Sequence, residues 1–443
     1  MKIKKKEEGI TLIALVITVI VLLILAGITI TALSGDNGIL TRAKEAKEKT
    51  KQAQEDEKQK LSNMENLLGS YNLKNVNAAD TNPAETIPEN SIVLEDDANK
   101  GIVIKDKNNN EWVWVEVPKA TVFSGLTIDT TQELTEQNYN DIKDKLITYV
   151  GVYRNGSATQ TRNDWKDEWY AKDGELLVTA STQNLTEEQK TLNNGCGLTY
   201  EEYKSAYQKM LKSVYTYGGF WIGRYEAGIE GTITETTNAR TSSSGRISIE
   251  TSPKAISQKD AIPYNYVYCS EAQALAKEMT PNSNCTSSLM FGIQWDLVCK
   301  YLEVKSTLET PDINSNSTSW GNYSNAKIEK IASGKYAILD TNFKLGTWTK
   351  ITNAFTKSDS GDNRSVLLST GISDYTKKMN IYDFAGNEWE WTLEKTSDSD
   401  DPCANRGGNY DGSGSGLPAS YRFNLGSTIA GYSVGFRPAL YVN

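Results

Sequence analysis

From Ile10 to Gly35 the chain carries no charged side chain. The run ITLIALVITVIVLLILAGITITAL is long enough to cross a bilayer as a helix, which takes roughly 20 residues. It divides the chain into a part dictated by lipid and a remainder that folds apart from it. The preceding MKIKKKEEG is short and basic. A secretory signal places its small-residue cleavage site after the apolar region, whereas here the small residue, Gly9, stands before it.

After the run, SGDNGIL holds two glycines and an Asx pair, which disfavour helix. TRAKEAKEKTKQAQEDEKQKLSNMENLL is then almost all helix formers, with few apolar positions: Leu40, Ala43, Leu61, Met64 and Leu68. Glu and Lys three or four apart support an exposed helix. A solvated coiled-coil stalk and the outer half of a longer anchor helix both fit.

The basic leader, Gly9 and the retained apolar helix resemble a type IV prepilin. The resemblance implies a leader over 1–9, cleavage between Gly9 and Ile10 by a prepilin peptidase, and a pilin-like helix over 10–70, transmembrane over 10–35. It implies a place in the cell membrane with an extracellular domain, or in a pilus or at the cell surface, with other pilins as partners. One position departs from the pattern: pilins carry Glu at the fifth mature position, where this chain has Ala14. That Glu pairs with a neighbour's N-terminal amine during filament assembly, so a minor pilin or tip subunit fits better than a major pilin.

Composition removes several chemistries. A formal net charge of -9 offers no basic surface for phosphates and argues against nucleic acid as partner. The chain has no histidine, which excludes Ser-His-Asp and Cys-His catalysis and His-ligated zinc. Cys196, Cys269, Cys285, Cys299 and Cys403 are scattered, with no CxxC pair. An odd count in an exported protein leaves at least one thiol free or paired between molecules.

Residues 71–100 are rich in Asn, Asp, Ala, Thr and Pro and read as a linker with at most short strands. A globular domain is expected over 101–443. Glu111 to Pro118 alternates, Trp112 and Trp114 against Val113, Val115 and Val117, and reads as a strand. LTYEEYKSAYQKMLKSV has a capping-box pattern at Thr199 and Glu202 and one apolar face of Tyr203, Tyr207, Met210, Leu211 and Val214. GGFWIGRYEAG follows as a strand, with Arg224 and Glu226 read as a structural ion pair. Ser270 opens a second helix with capping-box spacing to Gln273. In SLMFGIQWDLVCKYLE, Trp295, Val298, Cys299 and Leu302 fall at helical spacing, so Cys299 reads as core. Helices, short strands and long irregular connections predict an α+β domain.

Near the C-terminus GNEWEW, RGG and GFRPAL follow one another in that order. Together with VWVEVP and FWIGRYE they resemble the formylglycine-generating-enzyme-like family, whose domain is a variant of the C-type lectin fold. The stretch at about 126–195 has no counterpart in that family and reads as an insertion. The family's enzymes bind copper through two cysteines after RGG. Those positions fall here near Gly412 and Leu417, and no cysteine follows Cys403. Copper is therefore not expected, nor is the oxygenase activity. Carboxylate-only catalysis stays open by residue type at Asp296, Asp383, Glu388 and Glu390. The resemblance also implies calcium at the GNEWEW turn, held by the Gly386 and Glu388 carbonyls and the Glu390 carboxylate. The alternative packs Trp389 and Trp391 in the core, with Glu390 a buried acceptor.

Between RGG and GFR, residues 409–433 are mostly Ser, Gly, Asn, Tyr, Asp and Ala. They read as an ordinary surface loop or as a binding face, where Tyr anchors and Ser or Asn adapts. In flanks and position the segment resembles the variable region of proteins diversified by retroelements. That implies Tyr410, Asp411, Ser413, Ser415, Tyr421, Phe423, Asn424, Ser427 and Tyr432 as residues exposed to an unknown protein or cell-surface ligand. Arg406, Phe436 and Arg437 would then be buried scaffold, with Pro418 a fixed turn residue and Arg422 packed inward. The expected protein is a surface-displayed binder with no catalysis; a structural minor pilin, or an enzyme on the same fold, are the alternatives.

Overall fold

The computed structural model describes residues 16–25, 44, 46–54, 80–158, 160, 164–169, 195–231, 252–280, 284–398, 401–427 and 429–442. The chain divides into two compact units, Met1–Glu65 and Asn66–Asn443. In the first, residues 16–25 and 46–54 are helical and exposed. No helix among the described residues is long and apolar enough to cross a membrane. Gly9, Ile10, Ala14 and most of the expected span lie outside the described residues.

The second unit is α+β. Among the described residues ten strands build its two largest sheets. They are β1 (Ile92–Glu95), β2 (Val103–Lys105), β3 (Glu111–Glu116), β4 (Gly219–Gly223) and β5 (Cys285–Leu289). The C-terminal five are β6 (Trp389–Lys395), β7 (Cys403–Arg406), β8 (Arg422–Leu425), β9 (Val434–Phe436) and β10 (Pro438–Val442). The first sheet runs β1-β2-β3-β4-β10-β5, all antiparallel; the second runs β8-β7-β6-β9, with β6 and β9 parallel. Arg437 alone separates β9 from β10, so the chain steps from one sheet to the other at that residue.

β3 is buried on both faces, from Trp112 through Val115, because it lies between β2 and β4 inside the sheet. Trp112 donates its indole N–H to Asp106 at 2.9 Å, and Trp114 meets the Trp221 ring edge-on at 5.1 Å. The folded unit begins earlier than residue 101. β1 pairs with β2, and Thr86 accepts the Trp221 indole N–H at 2.8 Å, so residues of the expected linker belong to the core.

Among the described residues four longer helices cover the sheets: α1 (Glu136–Val150), α2 (Tyr200–Tyr217), α3 (Cys269–Lys277) and α4 (Gly292–Lys305). α1 lies within the expected insertion and buries Ile142, Leu146 and Val150 in the common core. α2 has the expected cap: Thr199 Oγ1 accepts the Glu202 N–H at 3.2 Å, and Glu202 accepts the Thr199 N–H at 2.9 Å. α3 starts before Ser270. Glu271 reaches back to the Tyr268 N–H at 2.9 Å, while Gln273 accepts the Leu289 N–H instead. α4 keeps Trp295, Val298, Cys299 and Leu302 buried, and Asp167 caps it by accepting the Gly292 and Ile293 N–H groups at 2.6 and 2.9 Å. Negative charge there also suits the helix dipole.

Candidate functional site

Three buried arginines anchor the C-terminal segment. Arg406, at the end of β7, pairs with Asp296 of α4 at 2.8 Å and with Glu394 of β6 at 3.2 Å. Arg422, the first residue of β8, pairs with the same two carboxylates at 2.8 and 2.9 Å. Arg154 reaches them from the other side, 2.8 Å from Asp296. Burial alone would raise the Glu394 carboxyl, but Arg422, Arg154 and Arg406 outweigh it and hold it at about 2. Arg437 sits on Glu390 at 2.7 Å and donates to the Gly223 and Tyr382 carbonyls, each at 2.9 Å. Buried ions hold only when paired and hydrogen-bonded, so both ends of the segment and its middle are committed to the core.

The RGG glycines are needed where they stand. Gly407 and Gly408 have φ of +94° and +76°. A Cβ on Gly408 would lie 2.3 Å from the Leu417 carbonyl O and 2.6 Å from the Tyr323 ring. Only glycine allows that conformation and approach.

Between the clamps the nine expected contact residues divide. Phe423 and Ser415 are exposed. Asp411, Ser413, Tyr421, Asn424, Ser427 and Tyr432 are half-buried. Tyr410 corrects the expectation: it is fully buried, packed with Leu339 and Leu367. Its backbone N–H is tied to the Asn387 carbonyl at 3.0 Å, which turns the side chain inward directly after RGG. β8 pairs with β7 through Arg406↔Arg422 and Asn405↔Phe423. Successive side chains on a strand point to opposite faces, so Arg422 enters the ion network while Phe423 faces out. Pro418 lies in a turn closed by the Tyr421 N–H on its carbonyl at 2.8 Å.

Two aromatic groups result. Phe423 stacks on Trp389 at 5.6 Å, with Tyr421 6.0 Å from the same indole. Tyr432 donates to Asp411 at 2.9 Å and lies 6.4 Å from both Tyr410 and Phe343. Among the described residues Phe343 is the most exposed aromatic side chain at 66 %, and it has φ +58°. Sequence reading missed Phe343, because it stands nearly ninety residues before Tyr432 in a polar turn around Asp340. Ile429, also exposed, was missed for lack of any pattern around it.

The acidic turn does not fit the expected calcium site. Both Glu390 oxygens are taken by Arg437, which accounts for the charge a cation would neutralise. Gly386 donates its N–H to the Gly407 carbonyl at 2.8 Å, tying the turn to the RGG loop. Among the described residues no group of three His, Cys, Asp or Glu side chains is arranged to hold a metal. Glu388 is buried; the Asn265 amide beside it is the side-chain donor that favours its charged form, and it also donates to the Tyr432 carbonyl at 2.8 Å. Burial, and next the Glu388 charge, push Glu226 well up; burial pushes Glu388 well up too. Burial also lifts Glu390, to about 7, against the pull of Arg437.

Arg224 and Glu226 are not partners. Arg224 pairs with Glu111 at 2.9 Å, and Glu226 accepts from Asn387. The carboxylates open to catalysis by type are spoken for or enclosed: Asp296 lies in the arginine network, and Asp383 accepts from Gly371 and Thr376, each at 2.7 Å. Asp296, Asp383, Glu388 and Glu390 are each 2 % exposed or less.

No family model matches the chain, and no curated protein matches it. Among solved structures the chain is similar to Treponema denticola variable protein 1, with a TM-score of 0.25 and 12 % identity, over 50 % of this chain and 84 % of that one. A likeness of that size is too weak to assign a fold or a function.

Proposed function

We propose that the protein is a surface-displayed recognition protein. A pilin-like N-terminal helix, processed by a prepilin peptidase, anchors a lectin-like domain that has no catalytic role. Residues 409–433 and the Phe343 turn form its binding face for a protein or cell-surface ligand, and retroelement diversification of 409–433 is part of the proposal. One observation carries this reading: buried arginines clamp the segment, while Phe423, Ser415 and Phe343 remain exposed among small polar residues. Exposed aromatics on a rigid scaffold suit recognition, where ordering costs are low and a few rings supply most of the contact energy.

The test is a display library of the full chain, randomised at Ser413, Ser415, Tyr421, Phe423, Asn424, Ser427 and Tyr432. Selection against unrelated folded proteins is expected to return specific binders that keep Arg406, Arg422 and Arg437 unchanged. A library that loses folding at most randomised positions, or never yields binders, favours an inert structural pilin instead. A near-copy of the DNA for 409–433, differing at adenines and lying beside a reverse transcriptase gene, is the expected genomic mark of diversification.

A further inference from the structure

Three of the five cysteines converge. Cys196 lies in the turn before α2, Cys269 opens α3, and Cys403 opens β7. All three are fully buried, and no disulfide joins any cysteine of the chain. Cys269 Sγ lies 3.6 Å from the Thr392 carbonyl of β6, the strand that pairs with β7. Thr392 Oγ1 donates to the carbonyl of Ala404, next to Cys403, at 3.0 Å. A Cβ on Gly197 would lie 2.9 Å from Ser270 Cβ, so the backbones carrying Cys196 and Cys269 are packed together. The Cys403 thiol neighbours that of Cys269, and Cys196 is near both. Cys285 and Cys299 stand elsewhere: Cys285 faces the Thr86 carbonyl at 3.3 Å, and Cys299 lies on the buried side of α4.

We propose that Cys269 and Cys403 are a disulfide-forming pair, with Cys196 a third thiol placed to exchange into it. The oxidant is a disulfide donor, either a small-molecule disulfide or an oxidised dithiol protein. One cysteine thiolate attacks a donor sulfur, forming a mixed disulfide and releasing one donor thiolate. The second cysteine thiolate attacks the protein sulfur of that mixed disulfide and releases the other. The protein loses two protons and two electrons, and the donor gains both as two thiols. Because the pair is buried, the bond forms while the chain folds. It would tie the start of α3 to the start of β7, the strand that carries Arg406 and pairs with β8. The inference does not depend on the proposed binding role.

The test folds the full chain with oxidised glutathione, blocks remaining thiols with iodoacetamide under denaturing conditions, and maps peptides by mass spectrometry without reduction. A Cys269–Cys403 linked peptide is expected, with Cys196, Cys285 and Cys299 alkylated. In Cys403→Ser the link is expected to move to Cys196–Cys269. Reduction of the wild type is expected to lower Tm by about 5–10 °C. Alkylation of all five cysteines in the wild type, a link through Cys285 or Cys299, or a wild-type link through Cys196 with no Cys269–Cys403 peptide would each overturn the pairing.

Discussion

The Arg422 guanidinium, in the middle of the C-terminal segment, is seated on Asp296 of α4, with Nη2 2.9 Å from Oδ1 and 2.8 Å from Oδ2. Its neighbour Phe423 is 41 % exposed. Adjacent positions of one short strand therefore serve opposite ends, fold and surface.

Replacing Arg422 by Ala is expected to cost about 3–5 kcal/mol, because Asp296 and Glu394 lose a buried partner. Phe423→Ala is expected to cost about 1 kcal/mol or less, since a half-open ring stacked on Trp389 loses little burial. Urea unfolding followed by tryptophan fluorescence separates the two. Equal losses would contradict the division.

Phe343 holds φ +58°, a conformation that is strained for a side chain with a Cβ. Phe343→Gly is expected to raise stability by roughly 1 kcal/mol while weakening capture of any ligand selected by the display experiment. A lower Tm in the Gly variant would mean the ring contributes more to the fold than to the surface.

Glu226 and Glu388 are pushed well up and Glu390 to about 7 by burial. Between the ordinary carboxylate value and those folded values the native state holds more protons than the unfolded chain. Stability from these groups is then full at low pH and is lost as pH rises through the folded values. Tm is expected to be higher at pH 5 than at pH 7. Glu388→Gln is expected to flatten that slope and stabilise the domain at pH 7 by roughly 1–3 kcal/mol. At the acid end Glu394 works in the opposite sense: its contribution is present above the ordinary carboxylate value and is lost as pH falls through about 2. A melting temperature that rises from pH 5 to pH 7 would refute the first of these assignments.

With both Glu390 oxygens on Arg437, added calcium or EDTA is expected to leave Tm unchanged. A calcium-dependent rise of several degrees would require Arg437 to release the carboxylate.

Processing is expected to leave Ile10 as the mature N-terminus. Intact-mass measurement on the native protein checks this, and a start at Met1 or beyond Leu33 would rule out a pilin-type leader.

The sequence alone determined the elements whose signals are local. The Thr199–Glu202 cap is read from four residues, the β3 alternation from six, and the α4 core face from helical spacing. RGG and GFRP read as scaffold through the family resemblance, which implies that Arg406, Phe436 and Arg437 are buried. Tertiary structure decided which side chain meets which. Composition set Tyr410 and Tyr432 in one class, but the tie from Tyr410 N–H to Asn387 sends its ring into the core beside Leu339 and Leu367. Arg224 and Glu226 are two positions apart, yet their partners Glu111 and Asn387 come from other strands and turns. Glu390 reads as a metal ligand or an acceptor until Arg437, across the parallel β6–β9 pairing, takes both its oxygens. Phe343 joined the candidate face only through its ring contact with Tyr432, far along the chain. Long-range pairing depends on where the backbone brings charges and rings together, and spacing along the chain does not encode that.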